Sequence, residues 1–225
     1  MLYYGFNFLW MYSYNEKWSP EPKEPNLAEL DFLAEEGFNF VRIPTDYHFW
    51  TRDFDYAHPD ERILAYIDRY IAACNERGIH ACFNIHRAPG YCINWPEREK
   101  HNLWRDAEAF EGFKFLWEMF TRRYAGISSE KLSFDLVNEP SSQPPTHPCS
   151  RDDHQRVIRA TIDAIHAIDP EREIVIDGFD GGGSALPELW DAGVIHSGRG
   201  YHPFEISHYK AEWVHRDEWR EPTWP

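Results

Sequence analysis

The chain alternates short apolar runs with longer stretches whose apolar residues recur every three or four positions. The first pattern predicts strands and the second predicts amphipathic helices. Residues 3–9 read as a first strand, and Pro20, Pro22 and Pro25 break the connection after it. Asn26 can cap a helix running to about residue 34, with Leu27, Leu30 and Leu33 on one face. Gly37 supplies the residue past its end, and residues 38–43 form a second strand. A helix beginning at Asp60 carries Ile63, Ile67, Tyr70, Ile71 and Cys74 at helical spacing, and Gly78 closes it.

The third strand is expected over residues 79–85, followed by a long loop over 87–105 that holds Trp95 and Trp104. A helix over 106–124 places Phe113, Leu116, Trp117 and Phe120 on one side. A fourth strand over 132–137 runs into a Pro-rich loop over 141–148. The helix over 151–168 buries Val157, Ile158, Ile162 and Ile165, and Asp169-Pro170 stops it. A fifth strand over 173–176, a Gly-rich turn over 178–183, a short helix over 187–191 and a sixth strand over 194–201 complete the pattern. The remainder reads as Trp-rich, Pro-punctuated loop.

Strand-then-helix repetition with short links specifies an α/β protein with a parallel sheet. A doubly wound open sheet and a (β/α)8 TIM-type barrel both satisfy it. No Gly-x-Gly-x-x-Gly follows the first strand, and no Gly-x-x-x-x-Gly-Lys occurs. The 178–183 run lacks a lysine and reads as a flexible loop rather than a phosphate cradle.

Composition narrows the function classes. The 225 residues include 10 Trp, 12 Tyr and 15 Phe, far too many rings for a disordered chain. They imply a large core, a ring-lined binding surface, or both. With 23 basic against 38 acidic residues the net charge is -15, which disfavours nucleic acid and anionic membrane surfaces as partners. No apolar stretch approaches the roughly 18 residues of a membrane span. Residues 1–6 show neither a basic region nor a cleavage site, so a cytoplasmic location is expected, or a secreted one with the leader absent. Four cysteines are too sparse for a disulfide scaffold. His147, Cys149 and His154 are the only metal-like grouping and read as free thiol and solvated histidines, so no metal or cofactor is expected.

In parallel α/β proteins chemistry gathers at the C-terminal ends of strands. Those ends carry Trp10, Arg42, His86, Asn138-Glu139 and residues 199–202. Glu139 follows an apolar strand and precedes Pro140. A carboxyl at such a mouth is partly desolvated, which favours its protonated form and suits a general acid. Asn138 beside it could hydrogen-bond a substrate hydroxyl. The structural alternative is a Glu that caps the next helix.

The stretch Phe134-Asp135-Leu136-Val137-Asn138-Glu139-Pro140 resembles the acid/base signature of glycoside hydrolase family 5, the cellulase family of retaining (β/α)8 barrels. Gly37-Phe38-Asn39-Phe40-Val41-Arg42-Ile43-Pro44 resembles its second strand, and Ile85-His86-Arg87-Ala88-Pro89-Gly90-Tyr91 the end of its third. Tyr201-His202-Pro203-Phe204-Glu205, continuing to Trp213, resembles the segment after its sixth. The resemblance implies Glu139 as acid/base, Asn138 on the sugar 2-hydroxyl, Arg42 supporting the nucleophile, His86 against the sugar, and Tyr201 near the nucleophile. Trp10, Trp95 and Trp104 are candidate stacking platforms for sugar rings. The substrate it implies is a β-linked glucan-type polysaccharide or oligosaccharide.

Two departures stand out. Arg199 occupies the place, two residues before Tyr201, where many members carry His. The family's nucleophilic Glu ends a seventh strand, and only six strand-helix units are legible here. Glu205, Glu212, Glu218 and Glu221 follow no strand-like run. The expectation is therefore a single domain over residues 1–225 that forms an incomplete barrel, with its last two strands and its nucleophile missing. A carbohydrate-binding protein that kept the cleft and lost the chemistry is the alternative.

Overall fold

The computed structural model describes residues 2–93, 96–142, 149–212, 214 and 218–223. Six strands form one sheet: β1 (Gly5–Asn7), β2 (Phe40–Asp46), β3 (His80–Arg87), β4 (Leu132–Asp135), β5 (Ile174–Asp177) and β6 (Ile195–Ser197). Their spatial order is β1-β2-β3-β4-β5-β6, and every pair is parallel. A doubly wound sheet reverses its strand order at a switch point. This sheet never reverses, so it is the barrel type, with six strands in place.

The helices lie where the periodicity puts them: α1 (Leu27–Glu35), α2 (Glu61–Asn75), α3 (Ala107–Arg123) and α4 (Arg151–His166). The Asp60 carboxylate accepts from the Arg62 amide and starts α2, and Ser150 likewise accepts from Asp153 to start α4. Gly37 and Gly78 take φ of +81° and +71°, the left-handed conformation that ends a helix. Leu30 and Leu33 are buried as expected, whereas Leu27, in the first turn, is 48% exposed. Two single turns follow β5 and β6: α5 (Phe179–Gly182) and α6 (Phe204–Ser207).

The rings are largely core. Phe83 on β3 stands opposite Phe134 on β4 in register. Both meet α3, where Phe83 lies 4.7 Å from Phe120 and Phe134 lies 5.0 Å from Trp117 between ring centroids. Trp50 closes the cluster edge-on to Phe120 at 5.8 Å. Edge-to-face packing of this kind adds about 0.5–1.5 kcal/mol per pair beyond burial.

Side chains alternate along a strand, so the residues between these rings face the other side of the sheet. Register aligns Asn7 with Arg42, Arg42 with Cys82, Cys82 with Ser133, and Asp177 with Ser197. The inner face is therefore polar. It carries a polar row that runs toward the strand ends.

Several strand boundaries differ from the sequence reading: β4 stops at Asp135 rather than 137, and β6 covers only Ile195–Ser197 of the expected 194–201. β1 is three residues long rather than seven, because only those three pair with β2. β2 runs on through Pro44 to Asp46, and the Asp46 amide bonds Met11 O at 2.8 Å. Proline lacks only a donor, and its neighbours keep the ladder going. The extension brings Asp46, absent from the predicted site, to the strand end.

Candidate active site

Glu139 lies just past β4, with a backbone φ of +48°. A non-glycine residue there carries strain on the order of 1–3 kcal/mol, so its surroundings must hold it. The Asp177 carboxylate, at the end of β5, accepts the Glu139 amide at 3.0 Å. The Tyr91 hydroxyl donates to the Glu139 carbonyl at 2.8 Å. The side-chain carboxylate accepts from Arg199 Nε at 3.1 Å and, through the same oxygen, from the Tyr201 hydroxyl. Glu139 thus stands in a polar, ion-paired setting rather than at the bare apolar mouth expected, and it caps no helix.

Arg42 reaches inward from β2. Its Nε donates to Asp135 at 2.6 Å, its Nη1 to Asn7 at 3.3 Å and its Nη2 to Asn138 Oδ1 at 3.2 Å. Asp177 is 3.7 Å from Nη2. Burial works against the Arg42 charge, but Asp135 and Asp177 outweigh it and hold the guanidinium protonated. Asp135 is fully enclosed. Burial pushes its carboxyl up to about 7 against the pull of Arg42, and Asp177 adds to the push. Two buried carboxylates and two arginines therefore underlie Asn138 and Glu139.

His86, at the end of β3, packs edge-on to Tyr12 at 4.8 Å. Burial, and then the charges of Arg42, Arg87 and Arg199, pull it well below the usual histidine range. It is a neutral imidazole. Its buried Nδ1 has no hydrogen-bond partner among the described residues. Burial and the neighbouring Glu139 raise the Tyr201 phenol to about 12, so it acts as a donor.

The structure thus brings Arg42, Asn138, Glu139 and Tyr201 into one hydrogen-bonded cluster, with His86 nearby in the same field of charges. It does not bring Trp10 there. Trp10 is 9% exposed, stacked on Phe8 at 4.9 Å and packed against Tyr70 of α2 at 4.9 Å. Trp104 is fully buried between Tyr91 and His154. Both are core rings whose faces are covered, which corrects the stacking role expected of them. Trp95, His147 and Trp213 lie outside the described residues. Cys149 is a free, buried thiol, and His154 is buried rather than solvated, packed against Trp104 and Phe179. Among the described residues no group of three or more His, Cys, Asp or Glu is arranged to hold a metal ion.

Sequence reasoning missed several polar residues. Asp135 and Asp177 sit inside apolar runs, where only the inward parity of the strand marks them. A second polar group lies at the ends of β2 and β3: Arg87 Nη1 donates to Asp46 at 3.2 Å, and Asp46 bonds His48 Nδ1 at 2.7 Å. Glu99 accepts from the Tyr47 hydroxyl at 2.7 Å. His48 also lines a cleft of about 800 Å³ with Tyr14, Arg52, Phe54 and Arg98.

A parallel sheet wound in sequence order, with its polar cluster at the carboxyl ends of the strands, defines a (β/α)-barrel of the enzyme type. The family model described as "Cellulase (glycosyl hydrolase family 5)" matches residues 3–209, and the chain belongs to that family. Endoglucanase C of Acetivibrio thermocellus is 27% identical over 189 residues, covering 82% of this chain and 52% of that protein. The crystal structure of a glycoside hydrolase is 53% identical with a TM-score of 0.96, covering all of this chain and 68% of that one. Cel5A of Thermotoga maritima, solved in complex with a mannotriose substrate, is 26% identical with a TM-score of 0.74, covering 92% of this chain and 65% of that one. The chain spans about half the length of the curated relatives it matches.

Proposed function

We propose that residues 1–225 are a single partial catalytic domain carrying the acid/base side of a retaining glycoside hydrolase that acts on β-linked glucan-type chains. The observation that supports this best is the cluster around Glu139, because its amide, its carbonyl and one carboxylate oxygen are each held by a named partner. Glu139 protonates the leaving glycosidic oxygen and later takes the proton from the water that releases the sugar. Asn138 has its Oδ1 committed to Arg42 and Arg199, at 3.2 and 3.4 Å, which leaves its amide NH₂ to donate to a sugar hydroxyl. His86, neutral, offers a ring nitrogen to a second hydroxyl.

Retention needs a second carboxylate about 5–5.5 Å from the acid/base. Asp135 and Asp177 are poor candidates, since both are buried and taken up by arginines. The nucleophile in this reading is not among these 225 residues. The relatives named as endoglucanases favour β-glucan, and the mannotriose complex of a relative makes mannan-type chains the comparison substrate.

The test is turnover of aryl β-cellobioside and aryl β-mannobioside by this chain and by a form carrying two further strand-helix units. Activity confined to the longer form and abolished by Glu139→Gln is expected. Turnover that Glu139→Gln leaves intact overturns the assignment. Oligosaccharide binding without turnover in the longer form favours a binding protein on the same scaffold.

A further inference from the structure

The geometry points to Asp177 and Arg199 as a clamp that positions Glu139, with the Gly-rich turn after β5 shaped to hold that clamp. The inference rests on Glu139 being the acid/base. One oxygen of Asp177, Oδ2, accepts both the Glu139 amide, at 3.0 Å, and Arg199 Nη2. Arg199 Nε then reaches the carboxylate of the same glutamate at 3.1 Å. A single acid–base pair thus grips Glu139 at its backbone and at its side chain.

Arg199 is not a free cation waiting for a substrate anion. Its Nη1 donates to Ser197 Oγ at 2.6 Å, and its Nη2 also approaches Asn138 Oδ1 at 3.4 Å. Every guanidinium nitrogen is committed, and Asp177 balances its charge. The fork geometry of arginine matters here, since a lysine ammonium could not span Glu139, Ser197 and Asp177 at once.

The turn over 178–183 fits the same purpose. The Gly182 carbonyl accepts the Arg199 amide at 3.1 Å, and Gly182 takes φ of +78°. A Cβ on Gly182 would lie 2.4 Å from Arg199 Cγ and 3.0 Å from its Cβ. Glycine is required there for the arginine to lie in its groove. The Gly178 amide bonds Ser197 O at 2.8 Å and ties the end of β5 to that of β6.

Arg199 and Asp177 are positioning residues, and their effect is readable without turnover. N-bromoacetyl β-cellobiosylamine places an electrophile where a leaving group would sit. A Glu139 carboxylate oxygen displaces bromide and forms an ester, which peptide mass spectrometry locates. We expect the wild-type chain to be esterified at Glu139 and Glu139→Gln to be spared. Arg199→Met, Arg199→Lys, Asp177→Asn and Gly182→Ala should each lower the limiting rate of labelling at least tenfold. The half-saturating reagent concentration should stay within twofold, and melting should confirm a folded chain. Gly182→Ala tests the clamp with its charges intact, and Asp177→Asn tests it without change of shape. Limiting rates within twofold of wild type in the folded variants, full rescue by Arg199→Lys, or a loss confined to the half-saturating concentration would overturn the clamp alone. An unlabelled wild-type Glu139 would overturn the acid/base assignment with it.

Discussion

The Tyr91 hydroxyl donates to the backbone carbonyl of Glu139 at 2.8 Å, across 48 residues of sequence. Burial raises this phenol well above its ordinary range, so it stays protonated and keeps donating at any working pH. Tyr91→Phe should cost about 1 kcal/mol, the ordinary net worth of one such bond. Urea denaturation checks it, and a crystal structure should show the φ of Glu139 relaxing from its positive value.

Arg42 is the main counter-charge to Asp135. Arg42→Met should destabilise the fold by about 3–5 kcal/mol, because it strands a buried carboxylate. Adding Asp135→Asn should recover part of that loss, and a double-mutant cycle measures it. The pH sign follows from the raised Asp135 value of about 7. The folded state holds that proton more tightly than the unfolded chain, where an Asp titrates near 3.9. The fall in stability between about pH 4 and 7 is therefore shared by wild type and variant, and the Arg42→Met deficit, which comes from pushing that carboxyl higher still, should open as pH rises through 7 and be largest above it.

Trp10→Ala should behave as a core truncation. We expect a loss of about 3–5 kcal/mol in denaturation, with the folded fraction binding cello-oligosaccharide as wild type does. Calorimetric binding lost in proportion to the ring, with stability unchanged, would return Trp10 to the cleft.

His154 should make the fold acid-sensitive. Burial, with the Arg151 charge adding to it, pushes this imidazole down to about 3. The unfolded chain takes up that proton near pH 6.5, so its share of stability is complete above about 6.5 and is lost as pH falls toward 3. His154→Phe should cut the stability lost between pH 6.5 and 5 by about 2 kcal/mol, read from melting curves across that range. His80 and His86, also held below the usual range, keep their own contribution in the variant.

Much of the architecture was legible because it is local. The three- and four-residue periods of α2, α3 and α4, the helix start at Asp60 and the glycines at 37 and 78 depend only on near neighbours. The alternation of strand with helix fixed the parallel sheet, and the run around Asn138-Glu139 marked its chemical end. Tertiary structure decided everything that depends on which way a side chain turns and whom it meets. Trp10 follows a strand like a cleft residue, yet it turns outward to Tyr70, 60 residues away. Asp135 and Asp177 gain meaning only when parallel register sets them beside Arg42 and Arg199. Arg199 read in the sequence as a departure from a pattern. Only the fold, by bringing the ends of β4, β5 and β6 together, shows it gripping Glu139.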